Sequence, residues 1–131
     1  MGTGDLSAFR DAGRTLYSLG LVRGAEGNLS SFDGRRLLIT RTGAELSALT
    51  EADLLEGTLD GPPGGSSSDL ALHVAFYRER GPGAVVHAHP PGTVPEGELE
   101  GKAHGRYAFG ATLEEAVSGI VAEARSGEMT R

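Results

Sequence analysis

Cysteine is absent from the 131 residues, which excludes disulfides and thiolate ligands. Any metal must therefore be held by nitrogen and oxygen. No run of about 18 apolar residues occurs, so no stretch reads as a membrane span. Positive charge is in deficit, with 12 Lys and Arg against 18 Asp and Glu and a formal net charge of −6. That balance argues against a general nucleic-acid grip. The first residues, Met1-Gly2-Thr3-Gly4-Asp5, carry neither a basic start nor an apolar signal core. Nothing there marks export, and a cytoplasmic location is expected. What is present is a hydrophobic fraction of 38% and a charged fraction of 23%, which suits one soluble globular domain over residues 1–131.

The stretch Val85-Val86-His87-Ala88-His89-Pro90 organises the rest. Strand side chains alternate faces, so Val85, His87 and His89 share one face while Ala84, Val86 and Ala88 share the other. Two imidazoles on one face can grip one divalent ion, and zinc and its relatives favour such ligands. Two histidines at a solvated strand end is the plainer reading of the same residues, and the pattern alone does not choose between them. Pro90 lacks a backbone N–H, which places the pair at the end of its strand.

In chain order, Leu6, Phe9, Ala12, Leu16 and Leu19 predict a core-packing helix over about Leu6–Leu19, stopped by Gly20. Gly24-Ala25-Glu26-Gly27-Asn28 reads as a turn before a short strand. Its Asn28 amide is also able to donate to a ligand. Asp33-Gly34 predicts a hairpin into a strand over Arg35–Thr40. Thr42-Gly43 offers a hydroxyl and an amide to an anion. Thr50–Asp53 reads as a capped helical turn, and Leu54–Leu59 as a strand.

Ser66-Ser67-Ser68-Asp69 opens a predicted helix over Asp69–Arg80, with a serine as its cap and Gly81-Pro82 as its end. Capping alone accounts for these residues, although a helix start with hydroxyls also suits a phosphate. Asp69 and His73 share a helix face. His73 reads as a buried, hydrogen-bonded histidine rather than a ligand, and Phe76 and Tyr77 as core. Glu98–Gly110 has room for two short strands around His104-Gly105. Thr112 and Glu115 predict a capping box for a last helix with Leu113, Ala116, Val117, Ile120, Val121 and Ala124 as its apolar stripe. Ser126–Arg131 reads as a frayed tail.

Gly27-Asn28-Leu29-Ser30, Ile39-Thr40-Arg41-Thr42-Gly43, Ser67-Ser68-Asp69-x-x-x-His73, Tyr77-Arg78, Ala84 to Pro90 and His104-Gly105 occur in an order that resembles the class II aldolase/adducin-head family. The likeness runs from about Leu6 to Arg125 and is greatest to the fuculose-phosphate aldolase branch. It implies an α/β fold, a three-layer α/β/α sandwich with a mixed central sheet. It implies a substrate phosphate site at Asn28, Thr42, Gly43, Ser67 and Ser68. It implies Zn2+, or another divalent transition metal, on His87, His89 and His104, with Asp69 as the acid/base carboxylate. It also implies a homotetramer.

Two departures stand out. The aldolases usually carry Glu where this chain has Asp69, and an Asp there resembles the ribulose-phosphate epimerase branch, where it joins the metal ligands. Fourteen residues separate His89 from His104, whereas the family has a much longer stretch. The family's catalytic tyrosines have no match here, and Tyr107 does not correspond to them.

The resemblance implies metal-dependent cleavage of a ketose 1-phosphate, of the fuculose 1-phosphate type, to dihydroxyacetone phosphate and an aldehyde. The alternatives are 4-epimerisation of a pentulose phosphate and a non-catalytic adducin-head-like binding or assembly module. Lys102 is the sole lysine. A Schiff-base route needs a lysine, and the histidines favour the metal route over it.

Overall fold

The apolar repeat Leu6, Phe9, Ala12, Leu16 forms one side of helix α1 (Thr3–Ser18). The helix stops one residue short of Leu19, which is 50% exposed rather than part of the packed stripe. The computed structural model describes residues 3–66, 69–89 and 105–129. After α1 come β1 (Asn28–Phe32), β2 (Leu37–Thr40), two short 3-10 turns (Leu46–Ala48 and Glu51–Asp53) and β3 (Leu54–Gly57). Helix α2 (Leu70–Arg80), β4 (Gly83–Ala88), β5 (Arg106–Gly110) and α3 (Leu113–Met129) complete the chain.

The strands form one sheet in the order β3-β2-β1-β4-β5, and every pairing in it is antiparallel. The mixed sheet expected from the resemblance is therefore corrected to an antiparallel one. The reason lies in the connections. β1 and β2 are joined by a tight hairpin in which the Asp33 carboxylate accepts the N–H groups of Arg35 and Arg36 at 2.9 and 2.7 Å. The connection that contains α2 delivers β4 beside β1 in the opposite direction. A parallel pair needs a crossover that returns the chain in the same direction.

Alternation along the strands sorts two kinds of side chain. Leu29, Leu38, Ala84, Val86 and Ala88 face α1 and α3 and pack with Phe9, Leu16, Leu113, Ala116 and Ile120. Burying each large apolar side chain of this set contributes about 1.5–3 kcal/mol. On the other face Leu37 and Val85 pack with Tyr77 of α2, and Phe32, Val74, Phe76 and Phe109 close around them. The same face carries Asn28, Ser30 and His87, all buried.

Several local readings shift by a few residues. The hairpin strand is Leu37–Thr40, and the third strand ends at Gly57. Thr50 caps the turn as expected, its hydroxyl 3.1 Å from Asp53 Oδ2. In α2 the N-cap position is Asp69, not a serine, and its side chain makes no capping bond. Gly81 closes that helix with its N–H on the Tyr77 carbonyl at 2.8 Å. Around His104-Gly105 the second predicted strand is β5, while the first lies outside the described residues. α3 continues to Met129, through most of the expected tail. Thr112 caps it, with the Glu115 N–H donating to its hydroxyl at 3.2 Å, and Glu115 reaches back to the Ala111 N–H at 2.7 Å.

Candidate active site

Sheet register brings the site together. Asn28 on β1 lies directly opposite His87 on β4, and His87 lies directly opposite Tyr107 on β5. The three form one row across three strands, on the face that α2 covers. Asp69, His73 and Tyr77 recur every four residues, so they line one side of α2. Four helical residues rise about 6 Å and two strand residues about 6.7 Å. The helix row can therefore pair with Asn28 and Ser30 nearly in step.

That pairing is a continuous hydrogen-bonded chain. The Asn28 Nδ2 donates to Asp69 Oδ2 at 2.8 Å. The Asn28 Oδ1 is bonded to His73 Nε2. His73 Nδ1 meets the Ser30 hydroxyl, which lies 2.7 Å from the Tyr77 hydroxyl. His73 is fully buried, and burial lowers its pKa to about 3 despite the opposing pull of Asp69. It is neutral at ordinary pH. Burial likewise pushes the Tyr77 phenol up. Asp69 feels burial pushing its carboxyl up. The Asn28 bond, the nearby His87 ring, a Tyr107 hydrogen bond and His73 together outweigh it and hold the group below the usual carboxylate range.

His87 is buried, and its Nδ1 lies 3.1 Å from the Arg106 carbonyl oxygen. A carbonyl only accepts, so Nδ1 carries the proton and a neutral ring presents its Nε2 lone pair. That atom points toward Asp69, 3.6 Å from Oδ2. The His89 ring lies on the same side, 4.8 Å away between centroids, and the His89 N–H donates to the Leu21 carbonyl at 2.8 Å. Tyr107 stacks on His87 with centroids 4.1 Å apart and planes 19° apart. Burial and the Asp69 charge push its phenol up.

Two glycines let the backbone close around His87. A Cβ at Gly27, whose φ is +77°, would meet the His87 carbonyl oxygen at 2.6 Å, and one at Gly105 would meet His87 Cε1 at 2.8 Å.

The remaining predicted residues divide. Thr42 donates its N–H to the Gly65 carbonyl at 3.0 Å and its hydroxyl to the Ser66 carbonyl at 2.6 Å. Gly43 takes a φ of +80°. The Thr42-Gly43 turn is thus tied to the segment just before α2. Arg41, next to it, pairs with Asp53 at 2.7 Å. Burial raises Asp53, but bonds from Thr50 and the Arg41 pair outweigh it and lower its pKa. Ser67, Ser68 and His104 lie outside the described residues.

Among the described residues no group of three or more His, Asp and Glu is placed to hold a metal. The donor set they do provide, two imidazoles with one Nε2 turned toward a carboxylate, suits a divalent transition metal. Nor, among them, is any helix long and apolar enough to cross a membrane.

Asn28, expected at the phosphate, also bonds Asp69 and His73, and Tyr77 is core as expected while its hydroxyl also meets Ser30. Ser30 and Tyr107 are the site residues that the sequence does not single out. Ser30 had a signal, two residues from Asn28 on the same strand face. Tyr107 depends on strand register, which no local pattern supplies.

Comparison with known proteins gives the family. The model of the Class II Aldolase and Adducin N-terminal domain matches residues 7–97. An L-fuculose phosphate aldolase of Methanococcus maripaludis is 38% identical over 88 residues, 65% of this chain and 49% of that protein. A methylthioribulose-1-phosphate dehydratase of Gluconobacter oxydans is 38% identical over 85 residues, 60% of this chain and 40% of that protein. The matched stretch thus spans half or less of these curated relatives. The crystal structure of an L-fuculose-1-phosphate aldolase from Thermus thermophilus superposes with a TM-score of 0.81 at 27% identity, covering 95% of this chain and 91% of that one. With the family model matching well over half of its length, the chain belongs to the class II aldolase and adducin N-terminal domain family.

Proposed function

We propose that this domain is a metal-dependent sugar-phosphate lyase that cleaves a ketose 1-phosphate of the fuculose 1-phosphate type. The products are dihydroxyacetone phosphate and an aldehyde. The observation that carries the reading is the Asp69 carboxylate, 3.6 Å from Nε2 of the buried His87, whose ring lies 4.8 Å from that of His89. The names of the aldolase relatives support it.

In this reading His87 and His89 hold a divalent ion, preferably zinc, together with His104. When bound, zinc supplies a Lewis acid that stabilises developing enediolate charge by several kcal/mol. The chain's own residues do the rest. The substrate hydroxyl loses its proton, the adjacent carbon–carbon bond breaks, and the aldehyde leaves. The electron pair remains as the enediolate of dihydroxyacetone phosphate, whose carbon then takes up a proton. Asp69 moves the proton, a role that typically contributes about 10²–10⁴-fold.

Gly43, Ser67, Ser68 and the second Nδ2 proton of Asn28 hold the phosphate, while Thr42, grouped with them by the resemblance, gives both its donors to the Gly65 and Ser66 carbonyls and shapes the turn. The α2 N-terminus favours that anion. The domain covers residues 1–131, has helices on both sheet faces as in a three-layer sandwich, and assembles as a homotetramer. The homotetramer and the roles of Ser67 and Ser68 rest on the resemblance, and the helices on both faces on the geometry.

A second reading is favoured by the same 3.6 Å approach of Asp69 to His87. A carboxylate so close to an imidazole lone pair is placed to be a ligand, which suits 4-epimerisation of a pentulose phosphate. The dehydratase relatives add water loss from a methylthioribulose phosphate as a third outcome.

The test gives the zinc-loaded full chain fuculose 1-phosphate, a pentulose 5-phosphate and methylthioribulose 1-phosphate in parallel. A coupled dehydrogenase reads triose-phosphate release. Release that needs the metal supports the aldolase. Turnover restricted to another substrate selects that reading, and silence on all three favours a non-catalytic module.

A further inference from the structure

Asp69, Asn28, His73, Ser30 and Tyr77 form a buried line of polar groups that a simple core would not contain. Every bond in it has a required direction. Asp69 is ionised and only accepts, so the Asn28 end facing it is Nδ2, at 2.8 Å. The other end, Oδ1, can only accept, so His73 Nε2 carries a proton and donates to it. A neutral imidazole then has an unprotonated Nδ1, which accepts from the Ser30 hydroxyl. Ser30 Oγ in turn accepts from the Tyr77 hydroxyl, 2.7 Å away. All five side chains therefore polarise one way, toward Asp69.

We propose that His73 is a positioning residue for Asp69, holding the Asn28 carboxamide in the one orientation that turns its N–H toward the carboxylate. The inference rests on the reading of Asp69 as the reacting group, and it gives Asn28 a role beyond anion contact. Without the His73 N–H, the amide is anchored at its Asp69 end alone. Its unbonded Oδ1 then lets the carboxamide rotate, and the Nδ2–H no longer holds Asp69 in one position. His73 touches no reacting atom, so its effect falls mainly on kcat, with a smaller rise in KM through the Asn28 N–H that also meets the phosphate.

The test compares the full-length wild type, His73→Gln and His73→Leu. Gln returns an N–H at the position of Nε2, whereas Leu fills similar space without one. In the wild type, imidazole nitrogen NMR should show His73 as the single Nε2-protonated tautomer at neutral pH. The Asn28 carboxamide should show one proton shifted downfield. His73→Gln should keep that proton signal and stay within about fivefold of wild-type kcat. His73→Leu should lose both the signal and at least tenfold in kcat, with a smaller rise in KM and unchanged metal content.

Equal behaviour of the Gln and Leu variants overturns the proposal, as does an Nδ1-protonated His73. If His73→Leu fails to fold, the wild-type tautomer and the Gln variant decide it. If the wild type turns over no substrate, the proposed activity fails, while the Asn28 signals still decide the positioning role.

Discussion

On β1, Leu29 and Asn28 are neighbours in sequence and face opposite ways. Leu29 is fully buried among the apolar side chains of α1 and α3. Asn28 is nearly as buried, and both ends of its amide are bonded, to Asp69 and to His73. The same contrast repeats on β4 between Val86 and His87. One face is closed by volume and the other by direction. An apolar contact tolerates a rotated neighbour, but a buried donor with no acceptor costs about 1–3 kcal/mol. The sheet thus keeps its apolar core and its polar network on opposite faces, a residue apart.

The largest expected effect breaks the dry face. Leu29→Ala should cost about 2–5 kcal/mol of unfolding free energy by denaturant titration, through lost transfer energy and the cavity left behind. In the folded fraction turnover should stay close to wild type. A loss of turnover matching that of a site variant would show that the two faces are not separable.

The next effect belongs to the polar face and depends on pH. The His73 pKa falls from 6.5 to about 3 on folding. Between those values the unfolded chain binds more protons than the folded one. This contribution is therefore complete above about pH 6.5 and is lost as pH falls toward 3. The slope is at most about 1.4 kcal/mol per pH unit. Unfolding measured between about pH 5 and 7 should show this slope as a difference between wild type and His73→Gln. No difference would mean that His73 titrates alike in both states.

The smallest effect lies at the margin of the sheet. Arg41 is half exposed where it pairs with the nearly buried Asp53. Arg41→Ala should cost less than about 1 kcal/mol, read by thermal melting, and added salt should shrink the difference. A larger loss would place the Thr42-Gly43 turn within the cooperative core.

Where side-chain period and turn chemistry suffice, these features were legible in the sequence. The α1 and α3 stripes, the Asp33-Gly34 hairpin, the Thr112 cap and the shared face of His87 and His89 are all local. The split between sheet faces followed from alternation. What escaped was relational. Tyr107 meets His87 because β5 pairs with β4 in one register. Ser30 joins His73 because α2 docks along β1 nearly in step. The antiparallel sheet also escaped, since strand direction is set by how connections pack and not by strand composition. Asp69 was found as a candidate carboxylate, but its bond to Asn28 links residues 41 apart in sequence, beyond any local window.

The proposed chemistry of the polar face rests on Asp69, 3.6 Å from His87 Nε2. Turnover of zinc-loaded Asp69→Asn, relative to wild type at matched metal content, tests it most directly. Asn is nearly isosteric with Asp but cannot serve as a base, so triose-phosphate release from fuculose 1-phosphate should fall by about 10²–10⁴-fold. Melting temperature and metal content should hold. Release at the wild-type rate by the metal-matched variant would contradict the account.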